Sequence, residues 1–258
     1  MEIWYMNGAG NDFAVLDVRG KSLDLSRLAV ELCKLTGADG LMAADSSQVA
    51  DFRLHFYNAD GSRGEMCGNG ARCLCRFAYE QKLAPAEMTV QTDGGFVYGK
   101  RLSQSVYRIR LVDPGIIDLG RKDAVDYVEL GTPGVPHALW EVPGLRWEDK
   151  EALRSRATAL RHDPAFPKGA NVNLYTRLPD GTVRILTYER YVEDYTLACG
   201  TGSAAVAVVL RQKGLLQGSS LTVRNPGGDL TVSFEALPRG DDALYLQGPT
   251  QLVRVFDY

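Results

Sequence analysis

Two pentapeptides, Met66-Cys67-Gly68-Asn69-Gly70 and Ala198-Cys199-Gly200-Thr201-Gly202, decide how this chain is read. Their cysteines stand 132 positions apart in a chain of 258 residues. Each pentapeptide follows a strand-like run that ends in an aromatic, Phe56-Tyr57 in one half and Thr187-Tyr188 in the other. Self-similarity at half-chain period marks an internal duplication. A helix-compatible segment follows each one, Ala71 to Leu83 and Ser203 to Leu215. The second is apolar without a break from Ala204 to Leu210, and a helix apolar on every side is buried on every side.

Outward from these segments the chain reads mostly as strands. Phe52 to Tyr57, Val106 to Leu111 and Leu230 to Phe234 alternate apolar and polar residues, the period of a half-buried strand. Asn173 to Thr176 and Val183 to Tyr188 flank the turn tripeptide Pro179-Asp180-Gly181 and predict a hairpin. Leu28, Ala29, Leu32 and Leu35 lie at helical spacing ahead of Gly37, a helix stop, and Glu148 to Leu160 reads as a surface helix. The expected fold class is α/β (α+β): two pseudo-symmetric domains, each a curled, mostly antiparallel sheet around a central helix. The expected domains are 1–112, with 249–258 returning to it as a strand, and 113–248. The boundary is placed near Val112-Asp113-Pro114-Gly115.

Composition excludes several function classes. Proportions of 45% apolar and 24% charged residues are those of an ordinary globule with a substantial core. With 29 basic and 32 acidic side chains, a net charge of −3 and no basic block, neither nucleic acid nor an anionic membrane is the expected partner. No apolar stretch approaches the roughly 18 residues of a spanning helix. Met1 to Met6 carries no basic leader before Asn7-Gly8-Ala9-Gly10-Asn11-Asp12 interrupts it. A cytoplasmic protein with five free thiols is therefore expected.

A cysteine at the start of a helix, followed by Gly-x-Gly, has definite chemistry. The first helical turn leaves backbone N–H groups unpartnered and carries partial positive charge. A thiolate is stabilised there, and the same N–H groups can hold a carboxylate that glycine allows to approach. Two such places, one in each half, suit inversion at a carbon α to a carboxylate. One thiolate removes the proton from one face, the opposing thiol protonates the other, and N–H donors stabilise the enediolate charge. Cys33 falls on the apolar side of a helix, and Cys73 and Cys75 fall inside the helix after the first pentapeptide; for all three core packing is the plain reading. Cys67, Cys73 and Cys75 lack Cys-x-x-Cys spacing, and His55, His137 and His162 form no ligand motif, so no metal is expected. Gly8-Ala9-Gly10 opens no Gly-x-Gly-x-x-Gly helix and is weak evidence for a nucleotide.

Over nearly its full length the chain resembles the diaminopimelate epimerase family of cofactor-independent amino-acid epimerases. The resemblance is carried in order by Gly8 to Phe13, Asn58 to Ser62, Glu65 to Cys73, Phe166 to Asn173, Tyr188-Glu189-Arg190 and Ala198 to Gly202. It implies two related domains with the active site between them, a homodimer, a small amino-acid substrate, and neither metal nor pyridoxal phosphate. By position it makes Cys67 and Cys199 the acid/base pair. Gly68, Asn69, Gly200 and Thr201 fall around the reacting carboxylate, and Glu189 and His137 hold the amino group or orient the site. Asn11, Asn58, Asn171 and Arg190 match groups that grip the substrate's distal end. Read without the family, Asn58 is equally a turn residue, and Glu189-Arg190 a solvated pair.

Four positions depart from the family pattern: Gly40 where it usually has Gln, Val135 where it has Asn before Pro-His, Tyr191 for Gly, and Tyr195 for an acidic residue. None touches the thiol pair. The expectation is inversion of LL-diaminopimelate to the meso form, in lysine and peptidoglycan biosynthesis. Gly40 and Val135 keep open a racemase for another amino acid, such as histidine. A non-catalytic thiol sensor or carboxylate-binding module built on the same helix starts is the third reading.

Overall fold

The computed structural model describes residues 1–64, 67–131, 134–238 and 242–258. Glu65 and Met66, ahead of the first cysteine, lie outside the described residues. The chain forms two compact units, residues 1–110 with 247–258, and residues 111–246.

In chain order the elements are β1 (Glu2–Gly8), β2 (Asn11–Asp17), α1 (Leu25–Thr36), β3 (Gly40–Asp45), β4 (Phe52–Asn58), α2 (Gly68–Glu80), β5 (Glu87–Thr92), β6 (Gly95–Arg101) and β7 (Val106–Arg110). There follow β8 (Pro114–Lys122), β9 (Val125–Gly131), β10 (Gly134–Glu141), a 3-10 turn (Trp147–Asp149), α3 (Lys150–Arg161), β11 (Asn171–Arg177), β12 (Val183–Glu189) and β13 (Asp194–Thr196). The chain ends with α4 (Gly200–Gln212), β14 (Ser220–Asn225), β15 (Gly228–Ala236), β16 (Asp242–Pro249) and β17 (Gln251–Asp257). The last strand belongs to the first unit, antiparallel to β1.

Strand pairing exposes the duplication. In the first unit β1 and β2 are antiparallel, β2 and β3 parallel, β3 and β4 antiparallel, β4 and β5 parallel, and β5 and β6 antiparallel. In the second unit β9, β10, β11, β12, β14 and β15 repeat that series pair for pair. Parallel neighbours cannot be joined by a tight turn and need a crossover. The four helices supply these: α1 and α2 in one unit, α3 and α4 in the other.

The helices divide by burial. α1 buries one face, Leu28, Ala29, Leu32 and Cys33, against a cluster that includes Ile3, Ala14, Leu16 and Leu41. Its ends are set by Asp24, whose carboxylate accepts from Arg27 N at 3.1 Å, and by Gly37 at φ 77°, a left-handed stop. By contrast α2 is buried continuously from Asn69 to Ala78, and α4 from Gly202 to Leu210, so each is the central helix of its unit. The hairpin expected around Pro179-Asp180-Gly181 is formed by β11 and β12.

The central helices begin three residues earlier than the sequence reading placed them. Glycine is a poor helix former, so propensity starts the helices at Ala71 and Ser203. Packing decides otherwise. A Cβ at Gly70 would come 1.8 Å from Met42 Cε, and one at Gly202 would come 2.2 Å from Asn173 Oδ1. The closing glycine of each pentapeptide thus brings a helix's first turn against its own sheet, a role beyond ligand access.

Candidate active site

Each of the two cysteines is the N-cap residue of its central helix. Cys67 precedes α2 with φ −121° and ψ 119°, and Cys199 precedes α4 with φ −115° and ψ 111°. The extended cap conformation points the following N–H groups, which have no helical acceptor, out of the helix start. The Cys199 Sγ accepts from Gly202 N at 3.3 Å and lies 3.5 Å from Thr201 Oγ1. Gly68 and Gly200 occupy the first helical positions.

Within the first unit the expected residues Asn11, Asn58, Cys67, Gly68 and Asn69 lie around β2, the end of β4 and the start of α2. Asn69 is buried and donates through Nδ2 to Asn11 Oδ1 at 2.7 Å. Asn11 Nδ2 donates in turn to Asp39 Oδ2 at 3.2 Å, and Asp39 Oδ2 also accepts from Asp12 N at 2.9 Å. Asn58 serves its own turn, with Nδ2 donating to Ser62 Oγ at 2.9 Å and its carbonyl accepting from Gly61 N at 2.9 Å. Gly40 is enclosed: a Cβ there would sit 2.7 Å from both Phe56 Cε2 and the Tyr57 carbonyl.

The second unit gathers His137, Asn171, Glu189, Arg190, Cys199, Gly200 and Thr201. Register does this. β10 and β11 pair His137 with Asn171, and β11 and β12 pair Val172 with Tyr188, next to Glu189. Glu189 accepts from Thr196 Oγ1 at 2.7 Å and neighbours the Cys199 thiol. Burial raises the Glu189 carboxyl above the ordinary value, although the Thr196 hydroxyl and the Cys199 thiol act the other way. The Cys199 thiol is pushed up by burial and then by the neighbouring Glu189 charge, with the Thr201 and Gly202 contacts opposing. Burial and that charge both favour the protonated form of Cys199. Arg190 does not pair with Glu189. Its Nη1 donates to the Lys168 carbonyl at 3.1 Å and its backbone N–H to Asn171 Oδ1 at 2.8 Å. Tyr191 has φ 72°, is 82% exposed, and holds its ring 4.7 Å from the Arg190 guanidinium. Val135, on β10, is partly exposed.

Sequence reading missed the group that orients His137. Asn173 is fully buried on β11. Its Nδ2 donates to the carbonyls of Ala138 at 3.3 Å and Asn171 at 3.2 Å, while its Oδ1 accepts from Thr187 Oγ1 at 3.1 Å. Carbonyls only accept, so the amide's orientation is fixed. Its Nδ2 also lies 3.2 Å from His137 Nδ1 and shares one of its two hydrogens with that ring nitrogen, an arrangement that puts the hydrogen of the neutral imidazole on Nε2. Among the described residues that Nε2 is buried without a partner. The available signal was an asparagine between Val172 and Leu174 in an apolar strand, since a buried amide must be satisfied.

Burial, with help from the Arg190 charge, holds His137 down at about 3. The unfolded ring takes up a proton below about 6.5, so between these limits the unfolded state binds more protons and stability falls as pH falls. At pH 5 this removes about 2 kcal/mol relative to pH 7.5. Glu189, shifted up, works in the opposite sense in wild type and variant alike. His137→Gln should therefore lose less stability than wild type between those two pH values, as read from urea midpoints. Equal losses would show that His137 does not titrate in this way.

The other cysteines behave as core. Cys33 is raised to about 11, and Cys73 and Cys75 to about 12, in each case chiefly by burial. None of the five cysteines is joined in a disulfide. Among the described residues no helix is long and apolar enough to cross a membrane.

The family model described as diaminopimelate epimerase matches residues 3–100 and 131–253. The diaminopimelate epimerase of Hydrogenobaculum sp. (strain Y04AAS1) is 32% identical over 275 residues, covering 98% of this chain and 96% of that protein. The diaminopimelate epimerase of Chlorobaculum tepidum is 34% identical over 256 residues, covering 96% and 97%. Among solved structures, the Bacillus anthracis phenazine biosynthesis protein of the PhzF family superposes with a TM-score of 0.76 at 13% identity. It covers 100% of this chain and 98% of that one, a likeness of fold alone.

Proposed function

For a chain that belongs to the diaminopimelate epimerase family, an isomerase by that membership, we propose two-thiol inversion of an amino-acid α-carbon, with LL-diaminopimelate converted to the meso form. The observation that carries this is the duplicated helix start: a cysteine N-cap at α2 and another at α4, each ahead of N–H groups able to hold a carboxylate. One thiolate takes the α-proton, and the electron pair passes into the α-carboxylate as an enediolate. The other thiol gives its proton to the opposite face, so each turnover exchanges the two cysteines' protonation states. The helix-start donors are worth most as charge develops on the carboxylate. Cys199, resting as a thiol beside Glu189, is fitted to deliver the proton first. In this reading His137 Nε2–H is a neutral donor within the second half-site, and Arg190 with Asn171 receives the distal carboxylate.

A second reading, a racemase for a different amino acid, is favoured by Gly40, where the Phe56 ring and the Tyr57 carbonyl occupy the space of any side chain. Proton NMR in D₂O with LL-diaminopimelate, meso-diaminopimelate, histidine, glutamate and lysine, each supplied separately, tests both. Loss of the α-proton signal with diaminopimelate alone is the expected result. Exchange with another amino acid would retain the two-thiol chemistry and overturn the substrate. Exchange with none would leave a thiol-based binding module as the reading.

A further inference from the structure

Arg72 lies in the second turn of α2 and is fully buried. Its Nη2 donates to Asn69 Oδ1 at 3.0 Å and its Nη1 to the Gly68 carbonyl at 3.3 Å, while Nε meets no acceptor. No carboxylate pairs with it among the described residues, whereas Arg76, one turn on, pairs with Glu80 at 2.8 Å. An enclosed guanidinium without a counter-charge is costly, so its retention asks what anion it faces.

Three thiols lie within reach of its charge: Cys67, Cys73 and Cys75. Cys73 and Cys75 are fully enclosed and stay protonated. Cys67 is half-buried and stands at the helix start. Strands β1, β2, β3, β6 and β7 pack against α2. From these, Asp12 on β2 reaches Cys73, and Tyr107 on β7 faces Arg76 and Glu80 towards the far end of the helix. Arg72 also begins a one-way chain of donors. Because it occupies Asn69 Oδ1, Asn69 must turn its Nδ2 to Asn11 Oδ1, and Asn11 then gives its own Nδ2 to Asp39.

We propose that Arg72 is the positioning residue of the Cys67 half-site: its guanidinium fixes the amides of Asn69 and Asn11 and supplies the buried positive charge against which the Cys67 thiolate is held. The consequence for turnover rests on the epimerase reading; the consequence for the thiol does not.

The test is the pH dependence of iodoacetamide alkylation in the full chain, quantified by mass spectrometry for the Cys67 and Cys199 peptides of one digest. Wild-type Cys67 should reach half its limiting rate below the value of about 8.5 for an ordinary thiol. Arg72→Met should raise that midpoint by about one pH unit or more and leave the Cys199 curve in place. Arg72→Lys keeps the charge and loses the fork, so it should keep the Cys67 midpoint while kcat falls about tenfold. An ordinary midpoint for wild-type Cys67, or an unmoved one in Arg72→Met, would overturn the proposal. Should Arg72→Met fail to fold, the wild-type and Arg72→Lys curves decide. Absence of α-proton exchange by wild type with every amino acid tried would instead count against the epimerase reading, with the alkylation curves still deciding the role of Arg72.

Discussion

Cys67→Ser and Cys199→Ser should each lower the rate of α-carbon inversion by about 10²–10⁴-fold, the range for loss of one positioned acid or base. Serine preserves size and the N-cap role, and its hydroxyl can still accept from the first-turn N–H groups. What it cannot do is carry a proton on and off near neutral pH, as a thiol tuned by its surroundings can. The fold should tolerate both changes, with melting temperatures within a few degrees of wild type, since the Gly202 N–H retains an acceptor at position 199. The double variant should be little worse than either single one, because two groups that act as a unit do not contribute additively. Inversion followed by circular dichroism, at substrate concentrations spanning KM, provides the measurement. A single variant that kept more than about a tenth of wild-type kcat would rule out a two-thiol mechanism.

Local pattern disclosed much of this molecule and withheld the rest for identifiable reasons. The alternation in Phe52 to Tyr57 follows directly from a strand with one buried face, and β4 lies there. The unbroken apolar run after Gly202 announced a central helix, and α4 is one. β8 gave no signal because Ile116, Ile117 and Leu119 are all exposed, so inside and outside do not alternate along it. The site divides in the same manner. Cys67 and Cys199 were visible through the glycines beside them. The contacts of Asn173 with His137 and Thr187, and of Glu189 with Thr196, depend on strand register, which no single segment encodes. Arg72 was hidden for another reason: an arginine inside a helix is normally a solvated residue, and only the completed packing shows it enclosed.

Gly202→Ala sets the packing account of the pentapeptide glycines against the helix-propensity account, because the two predict opposite signs. Position 202 lies inside α4, so exchanging glycine for alanine gains about 1 kcal/mol if only the helix matters. The new Cβ, however, would stand 2.2 Å from Asn173 Oδ1 and 3.3 Å from Cys199 Cβ. Asn173 cannot yield cheaply. It is fully buried, and turning its amide away breaks contacts with Thr187, Ala138, Asn171 and His137. Each buried polar group left unsatisfied costs about 1–3 kcal/mol, and overpacking costs a similar amount. The net should be a loss of about 2–4 kcal/mol, read as a fall in melting temperature of about 5–15 °C for a chain of this size. Turnover should fall as well, by about 10²-fold, since the same amide orients His137 and the displaced N–H is the donor to Cys199 Sγ. Gly181, at φ 81° with nothing within 4 Å of its missing Cβ, is the control: alanine there meets backbone strain alone, about 1–2 kcal/mol, and leaves turnover unchanged. A raised melting temperature for Gly202→Ala would mean that Asn173 has room to move and that the final glycine of the pentapeptide is there for something other than the fit of helix to sheet.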